Sequence, residues 1–176
     1  MNIFYLDNDP MTAAQAMTDK HIVKMILESA QMLCTAHRVL DGSLISTVNN
    51  NGRQVKTYTH PTHEDVLYKS AYVNHPSNVW VRENTSNYNW LYRHFAALNI
   101  QYRLRYRRTH ATWDKLGFVL SSFPINIAVG EMTKIPKAMP DKYKNDCSVT
   151  SYRNYYESEK IKTEKDYERY VSILSV

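Results

Sequence analysis

The clearest pattern in the sequence is a long helical stretch from Asp19 to Arg38, which contains neither Gly nor Pro. When successive residues are placed about 100° apart, the polar side chains fall in one narrow wedge. The wedge contains Lys24, Glu28, Gln31 and Thr35, with His21 at its edge. Apolar residues cover most of the remaining circumference, whereas a surface helix shows a broad polar face. The pattern therefore predicts a mostly buried helix, whose polar wedge forms a solvated edge or lines an active site.

A second polar stripe is predicted on a helix from Ser86 to Arg108. Asn87, His94 and Gln101 are seven positions apart, so they drift by only about 20° per step around the helix. Trp90 lies among the apolar residues beside this line. Because both long helices carry a polar stripe set among apolar neighbours, we expect the two stripes to face one another or a shared cleft.

The rest of the chain predicts short elements joined by loops. Residues 2–6 form an extended run, and Asp9 before Pro10 is suited to cap a helix over Met11–Met17. The other expected elements are a weak hairpin over Val48–Tyr58 around the Asn49-Asn50-Asn51-Gly52 turn, a short helix over Glu64–Val73, a segment carrying Trp80 and capped by Ser77, a long loop over 121–147, a helix over Ser148–Lys160 capped by Ser148, and a final helix over Glu164–Leu174. Together they predict an all-α fold: a compact single helical domain over residues 1–176, with about five helices and long connecting loops.

Composition and charge indicate a folded protein with a polyanionic partner. The 176 residues are 43% hydrophobic and carry a net charge of +5. The basic cluster of Arg103, Arg105, Arg107 and Arg108 ends the second long helix. The helix dipole explains part of this cluster, and either phosphate contact or a solvated basic end explains the rest. The 14 tyrosines suit base stacking, or belong to a chain that is simply Tyr-rich.

The sequence also indicates the compartment. No apolar run approaches the roughly 18 residues of a membrane span, and the N-terminus lacks the pattern of a signal peptide. The two cysteines, Cys34 and Cys147, fit a reducing environment. We therefore expect a cytoplasmic monomer with no membrane partner and no cofactor.

Most catalytic chemistries lack their residues in this chain. The four glycines form no phosphate-binding loop, and neither cysteine has an evident base. His60 and His63 have the only metal-like spacing, but no third ligand is evident, so we expect no metal site. What remains is an acid–base or electrostatic site centred on Glu28, with His21 and Lys24 on the same stripe. The alternative is a structural salt bridge, because Lys24 and Glu28 are four residues apart.

Three motifs resemble a known family. The first is Asp19-x-His21-Ile22-Val23 with Glu28 seven residues after the histidine; the second is His75-Pro76, Trp80 and Tyr92-Arg93-His94; the third is the aromatic segment Pro140–Tyr156. In their order over residues 1–45 and 75–156, they resemble the pyrimidine-dimer DNA glycosylases, typified by a T-even phage endonuclease. The chain resembles a divergent member, for which a phage origin would place the protein in the host cytoplasm.

The resemblance implies a compact helical enzyme that flips the nucleotide opposite the lesion out of double-stranded DNA, cleaves a glycosidic bond and then cuts the abasic strand. It implies that the α-amine of the chain forms a Schiff base with the sugar C1′ and that Glu28 is the catalytic carboxylate, with His21 and Lys24 as neighbours. A generic α-amine with a pKa of about 8 is roughly one-tenth neutral at pH 7, so this nucleophile is chemically reasonable. The implied DNA contacts are Lys20, Arg93, Arg103, Arg105, Arg107, Arg108 and Arg153. The implied pocket residues are His75, Asn87, Trp90, His94, Gln101, Tyr152 and Tyr156.

The chain departs from the family pattern at two places. Asn2 is larger than the residues that usually permit removal of the initiator Met, so Asn2 does not supply the amine if Met1 stays, and the amine of Met1 is one candidate. A lysine such as Lys20 or Lys24 is the alternative nucleophile, and an absence of lyase chemistry is the third. Ser29–Met32 also lacks the arginines that follow the catalytic Glu in the family. Three functions therefore stay open: a glycosylase for a damaged or modified base, an enzyme acting on a nucleotide, and a non-catalytic nucleic-acid-binding protein.

Overall fold

The protein is mostly helical. A computed structural model describes residues 1–48 and 51–174, and 53% of these residues are helical, with a small two-stranded sheet. The elements are α1 (Pro10–Gln15), α2 (Asp19–Asp41), β1 (Ser43–Val48), β2 (Gln54–Thr59), α3 (Pro76–Val81), α4 (Thr85–Tyr106), α5 (Ala111–Leu116), α6 (Ser148–Glu159) and α7 (Glu164–Leu174), with short 3₁₀ turns at Val119–Ser121 and Asp141–Tyr143. The prediction of a mainly helical fold is confirmed, but that of an all-α bundle of about five helices is wrong, because the described residues form seven α-helices and a two-stranded sheet. The single domain over 1–176 stays a prediction.

The two long helices form an antiparallel pair. Near one end Arg105 of α4 contacts Asp19 of α2 at 3.0 Å, and near the other His37 Nε2 lies 2.8 Å from the Tyr88 hydroxyl. The Thr18 side chain caps α2 at the predicted start. The helix runs three residues further than predicted, to Asp41. It is followed by Gly42, where an added Cβ would lie 2.0 Å from the Thr59 carbonyl oxygen.

The polar stripe of α4 faces α1 and a loop rather than the stripe of α2. His94 is fully buried and its Nδ1 lies 3.0 Å from the Pro10 carbonyl oxygen. The Asn87 side chain donates to the Trp80 carbonyl at 2.8 Å and accepts from the Thr133 amide at 2.9 Å. The predicted shared cleft is therefore wrong, because His94 Nδ1 and the Asn87 side chain bond to these segments, although His94 Nε2 has no hydrogen-bond partner among the described residues.

The predicted helix over Glu64–Val73 is also wrong, since residues 61–67 form turns and 68–71 are irregular. The cause is Arg38, whose side chain is only 1% exposed. Its guanidinium donates to the carbonyls of Tyr58, Glu64, Leu67 and Tyr68 over 2.7–2.9 Å, and to the Glu64 carboxylate. Carbonyls that point at a buried guanidinium are not available for a helical ladder.

The predicted hairpin is larger than expected. β1 pairs antiparallel with β2, and Ser43 lies opposite Thr59. Gly52 adopts the left-handed conformation that the turn signal predicts, with φ of 73°. Asn49 and Asn50 of that signal lie outside the described residues. The pairing returns the chain to the end of α2, which places His60 beside that helix end.

The predicted helix ends agree with the structure at α1 and α7 but not at the starts of α3 and α6. Asp9 caps α1 as predicted, by accepting from the Thr12 amide at 2.8 Å, and α7 has its predicted bounds. The cap of α3 is His75, not Ser77, and Ser148 is the first residue of α6 rather than its cap. Within residues 1–48 and 51–174, no helix combines the length and apolar character that a membrane span needs.

Candidate active site

The carboxylate of Glu28 lies beside the start of the chain. Its Oε2 is 4.0 Å from the Met1 amine nitrogen and accepts a hydrogen bond from the Asn2 amide at 3.1 Å. Its Oε1 is 3.3 Å from Lys24 Nζ. The Glu28 side chain is 15% exposed, so solvent still reaches it. The polar stripe of α2 thus brings a carboxylate, an α-amine and a lysine together at one accessible point.

The N-terminus is held by specific contacts. The Met1 side chain is 2% exposed, and Asn78 Nδ2 donates to its sulfur at 3.0 Å. The Asn2 side chain donates to the Ala138 carbonyl at 2.8 Å and accepts from the amides of Ile3 and Phe4. A buried side chain and these hydrogen bonds fix the direction in which the α-amine points.

A strained residue turns the chain toward Glu28. Phe4 has a φ of 51°, which is costly for an aromatic residue. The Leu6 amide donates back to the Phe4 carbonyl at 2.8 Å, which closes a tight turn. The buried Phe4 ring stacks on His21, with centroids 4.9 Å apart. Burial and stacking of this ring offset the backbone strain that aims residues 1–2 at α2.

His21 is held as a neutral ring. Its Nδ1 lies 2.7 Å from the Tyr156 hydroxyl, and that hydroxyl accepts from the Thr18 amide at 3.0 Å. Burial, followed by the charge of Lys24, lowers the pKa of His21 to about 4. Burial also raises the pKa of Tyr156, so the phenol keeps the proton that it can donate to Nδ1. At neutral pH His21 is therefore an uncharged ring hydrogen-bonded to Tyr156.

A basic cleft adjoins this site. It has a volume of about 290 Å³ and is lined by Thr18, Lys20, His21, Lys24, Glu159, Lys160 and Lys162. Lys24 connects the cleft to Glu28. The sequence reasoning found Lys20 but missed Lys160 and Lys162, although their positive charge just after α6 was a visible signal. The concentration of ammonium groups suits an anionic ligand.

The predicted arginines divide into two groups. Arg105 pairs with Asp19 and donates to the carbonyls of Met17 and Gln15 at 2.8 and 3.0 Å. Arg153 pairs with Asp7 at 2.8 Å and donates to the Leu6 carbonyl. These two side chains hold the fold together. The remaining four are exposed: Arg93, and the Arg103, Arg107 and Arg108 of a groove of about 480 Å³ at the end of α4.

Of the predicted pocket residues, His75 lies near enough to the Met1 amine and the Glu28 carboxylate for both charges to affect its pKa. Burial and the neighbouring Met1 amine lower the pKa of His75, while the Glu28 carboxylate opposes them. Tyr152 is fully buried, and its hydroxyl donates to the Pro136 carbonyl at 2.8 Å. Tyr156 supports His21 as described above. Asn87, Trp90, His94 and Gln101 are buried along α4, so the structure gives them packing contacts away from the Glu28 carboxylate.

Two aromatic residues near the site were missed. Tyr72 is 74% exposed and its carbonyl accepts from the same Asn78 amide that contacts Met1. Tyr155 is half-buried near Phe4, with centroids 6.2 Å apart, and Lys160 Nζ lies 4.7 Å from the Tyr155 ring centroid. No local sequence signal distinguishes Tyr72 from the other tyrosines.

A second polar cluster lies at the opposite end of α2. Ligand-type atoms of His37, Asp41 and His60 lie within 4.8 Å of one another. However, His60 Nδ1 accepts from the amides of Thr62 and His63 at 3.3 and 3.1 Å. In a neutral imidazole the other nitrogen then carries the proton. His60 Nε2, which has no hydrogen-bond partner among the residues that the structure describes, is therefore a donor, and this suits a hydrogen-bonded molecule rather than a metal ion.

A family model described as pyrimidine dimer DNA glycosylase matches residues 1–115. The matched part spans α1–α4 and all of α5 except its last residue, and it includes Met1, His21, Lys24, Glu28 and His75. It excludes α6 and the two lysines after it. No curated protein and no solved structure matches the chain.

Proposed function

The chain belongs to the pyrimidine dimer DNA glycosylase family, and on this premise we propose that it removes a damaged or modified base from DNA at the Glu28 site. Family membership supports a DNA glycosylase with DNA as its substrate. The observation that carries the finer proposal is the 4.0 Å separation between the Met1 amine and the Glu28 carboxylate. An amine and a carboxylate at this spacing can act on the same sugar carbon.

In the proposed reaction the neutral Met1 amine attacks the sugar C1′. The bond from C1′ to the base nitrogen breaks, and the departing base takes up a proton. The amine nitrogen then forms a double bond to C1′ while the bond to the ring oxygen O4′ opens, which gives a Schiff base. The Glu28 carboxylate stabilises the positive charge that develops on the sugar and assists ring opening. Lyase cleavage follows by loss of a C2′ proton and departure of the 3′ phosphate.

The surroundings supply the remaining roles in this proposal. Lys20, Lys160 and Lys162 in the 290 Å³ cleft are the proposed phosphate contacts nearest to Glu28. The groove with Arg103, Arg107 and Arg108 offers a second basic surface for the duplex. We leave Arg105 and Arg153 out, because their ion pairs with Asp19 and Asp7 already neutralise them.

Trapping with borohydride tests the proposal. The protein is incubated with duplex DNA that carries an abasic site, and borohydride reduces any Schiff base to a stable adduct. We expect a covalent adduct with the wild-type chain and a strongly reduced yield with Glu28→Gln. The exposed Glu168→Gln variant on α7 is a matched control and should trap like the wild type. An absence of adduct would overturn the lyase part of the proposal.

Salt dependence separates the DNA enzyme from an enzyme acting on nucleotides. Contacts to several phosphates release counterions, so the DNA affinity of a glycosylase should fall steeply as salt rises. Tight binding of a mononucleotide, together with weak and salt-insensitive DNA binding, would instead identify a nucleotide enzyme.

A further inference from the structure

The hairpin of β1 and β2 keeps apolar side chains exposed on both of its faces. Side chains alternate between the two faces along a strand, so Leu44 and Val48 lie on one face and Ile45 on the other; they are 51%, 64% and 37% exposed. Val55 of β2 lies opposite Thr47, hence on the Ile45 face, and is 36% exposed. A lone two-stranded hairpin is only marginally stable in water. The exposed faces therefore indicate that another molecule covers them.

The root of this hairpin is nevertheless firmly held. Arg38, whose side chain is 1% exposed, donates from Nη1 to the Tyr58 carbonyl at 2.8 Å. At the first rung of the ladder, the Thr59 hydroxyl donates to the Ser43 carbonyl at 3.3 Å. Six residues of an antiparallel strand extend about 20 Å. The hairpin, described at residues 43–48 and 51–59 and called the β-arm below, thus extends from an anchored root.

The β-arm is positively charged. Between Asp41 and Glu64 the sequence contains Arg53 and Lys56 and no acidic residue. Lys56 is exposed in β2 and lies opposite Ser46. A second copy of the chain that paired with this hairpin would bring the same positive charges close together, which is unfavourable. The phosphates of a nucleic acid complement these charges instead.

We propose that the β-arm enters the major groove of the DNA duplex on one flank of the reaction site. This inference rests on the proposed function, which makes duplex DNA the substrate. The major groove is about 12 Å wide and admits a two-stranded β-ribbon, whereas the minor groove is only about 6 Å wide. Lys56 then contacts a phosphate, and the exposed apolar side chains meet base edges such as the thymine methyl group.

The contact lies on the flank because the β-arm starts far from the Glu28 carboxylate. Glu28 and Asp41 belong to the same helix, α2. At a rise of 1.5 Å per residue, they are about 20 Å apart along its axis. The β-arm follows Asp41 after one residue, Gly42. It therefore adds duplex contacts without taking part in the chemistry at Glu28.

Methylation by dimethyl sulfate tests which groove is occupied. The reagent attacks guanine N7, which faces the major groove, and adenine N3, which faces the minor groove. On duplex DNA with one abasic site, saturating wild-type protein should protect guanine N7 on one flank of that site. A shortened protein, with Asn-Gly in place of residues 46–56, should lose this protection and leave the adenine N3 pattern unchanged. Asn-Gly is a favoured two-residue hairpin connection, and it joins Ile45 to Thr57, which lie opposite one another.

Lys56 provides a second test that leaves the hairpin intact. Lys56→Gln should reduce the slope of log affinity against log salt by about 0.9, the value for one phosphate contact. Lys56→Arg keeps the positive charge and should keep the wild-type slope. At saturating protein concentration, both variants should form the borohydride-trapped adduct like the wild type, because Met1 and Glu28 are unchanged.

The outcomes separate the β-arm from the chemistry. Normal guanine N7 protection by the shortened protein, or a wild-type salt slope for Lys56→Gln, would overturn the role of the β-arm while adduct formation persists. Shortening that abolishes self-association but leaves DNA affinity unchanged would identify a second copy as the partner, and would also overturn the proposal. A wild-type chain that protects guanine N7 but forms no adduct would support the β-arm and overturn the lyase part of the proposed function.

Discussion

Adding one glycine before Met1 should abolish most of the Schiff-base chemistry. The amine nitrogen now lies 4.0 Å from Glu28 Oε2, and the buried Met1 side chain fixes that position. An added residue converts this amine to an amide and moves the new amine by up to about 3.8 Å, one Cα spacing. A misplacement of about 1 Å can lower a rate by about 100-fold. We therefore expect at least a 100-fold slower adduct formation.

The assay is single-turnover trapping on abasic duplex DNA, with DNA affinity measured in parallel. DNA affinity should stay close to that of the wild type, because the added glycine does not change the basic cleft with Lys20, Lys160 and Lys162 or the groove at the end of α4. The matched variant Lys24→Arg removes the competing primary amine 3.3 Å from Glu28 Oε1 while it keeps the positive charge, and it should still trap. If the extended protein traps normally and Lys24→Arg does not, Lys24 is the nucleophile and the assignment to Met1 is wrong.

Three further predictions concern stability and binding. Burial lowers the pKa of His94 to about 4 from about 6.5 in an unfolded chain, so the folded state disfavours protonation of this ring. The contribution of His94 to the free energy of unfolding is therefore complete above pH 6.5. It falls by about 1.4 kcal/mol per pH unit between pH 6.5 and 4. His94→Asn keeps a donor for Pro10 and should reduce the pH slope in urea unfolding by this amount; an unchanged slope between pH 6.5 and 5 would contradict the assignment. Arg38→Met leaves several buried carbonyls unpaired and should lower the free energy of unfolding by about 3–5 kcal/mol, measured by denaturant titration; a loss below 1 kcal/mol would show that water replaces the guanidinium. Replacing both Lys160 and Lys162 with Gln should lower DNA affinity and reduce the salt slope by about 2; an equal slope would remove the cleft from the DNA interface.

The sequence could predict helices because their signals are local. Asp9 and Pro10 mark the start of α1, and the wedge of polar residues marks the orientation of α2. Both depend on residues within one or two turns. The polar stripe with Glu28 could be predicted as a candidate active site for the same reason, because it depends only on the spacing of residues within one helix.

The sequence could not predict what each stripe faces. The carbonyls that bind Arg38 come from residues 20 to 30 positions further along the chain. Their hydrogen bonds to the guanidinium prevent the helix that the local sequence pattern predicts over Glu64–Val73. His94 finds its partner at Pro10, 84 positions away. The approach of Met1 to Glu28 depends on the left-handed conformation of Phe4, which no propensity favours. Such contacts follow from packing across the chain rather than from any one segment.

The most direct measurement of the central claim is the position of the trapped adduct. The reduced complex with abasic DNA is digested with a protease, and the modified peptide is sequenced by mass spectrometry. The sugar remnant should sit on the α-nitrogen of Met1, and Glu28→Gln should strongly reduce its yield. A remnant on Lys20 or Lys24, or none at all, would contradict the claim that the Met1 amine and the Glu28 carboxylate form the reacting pair.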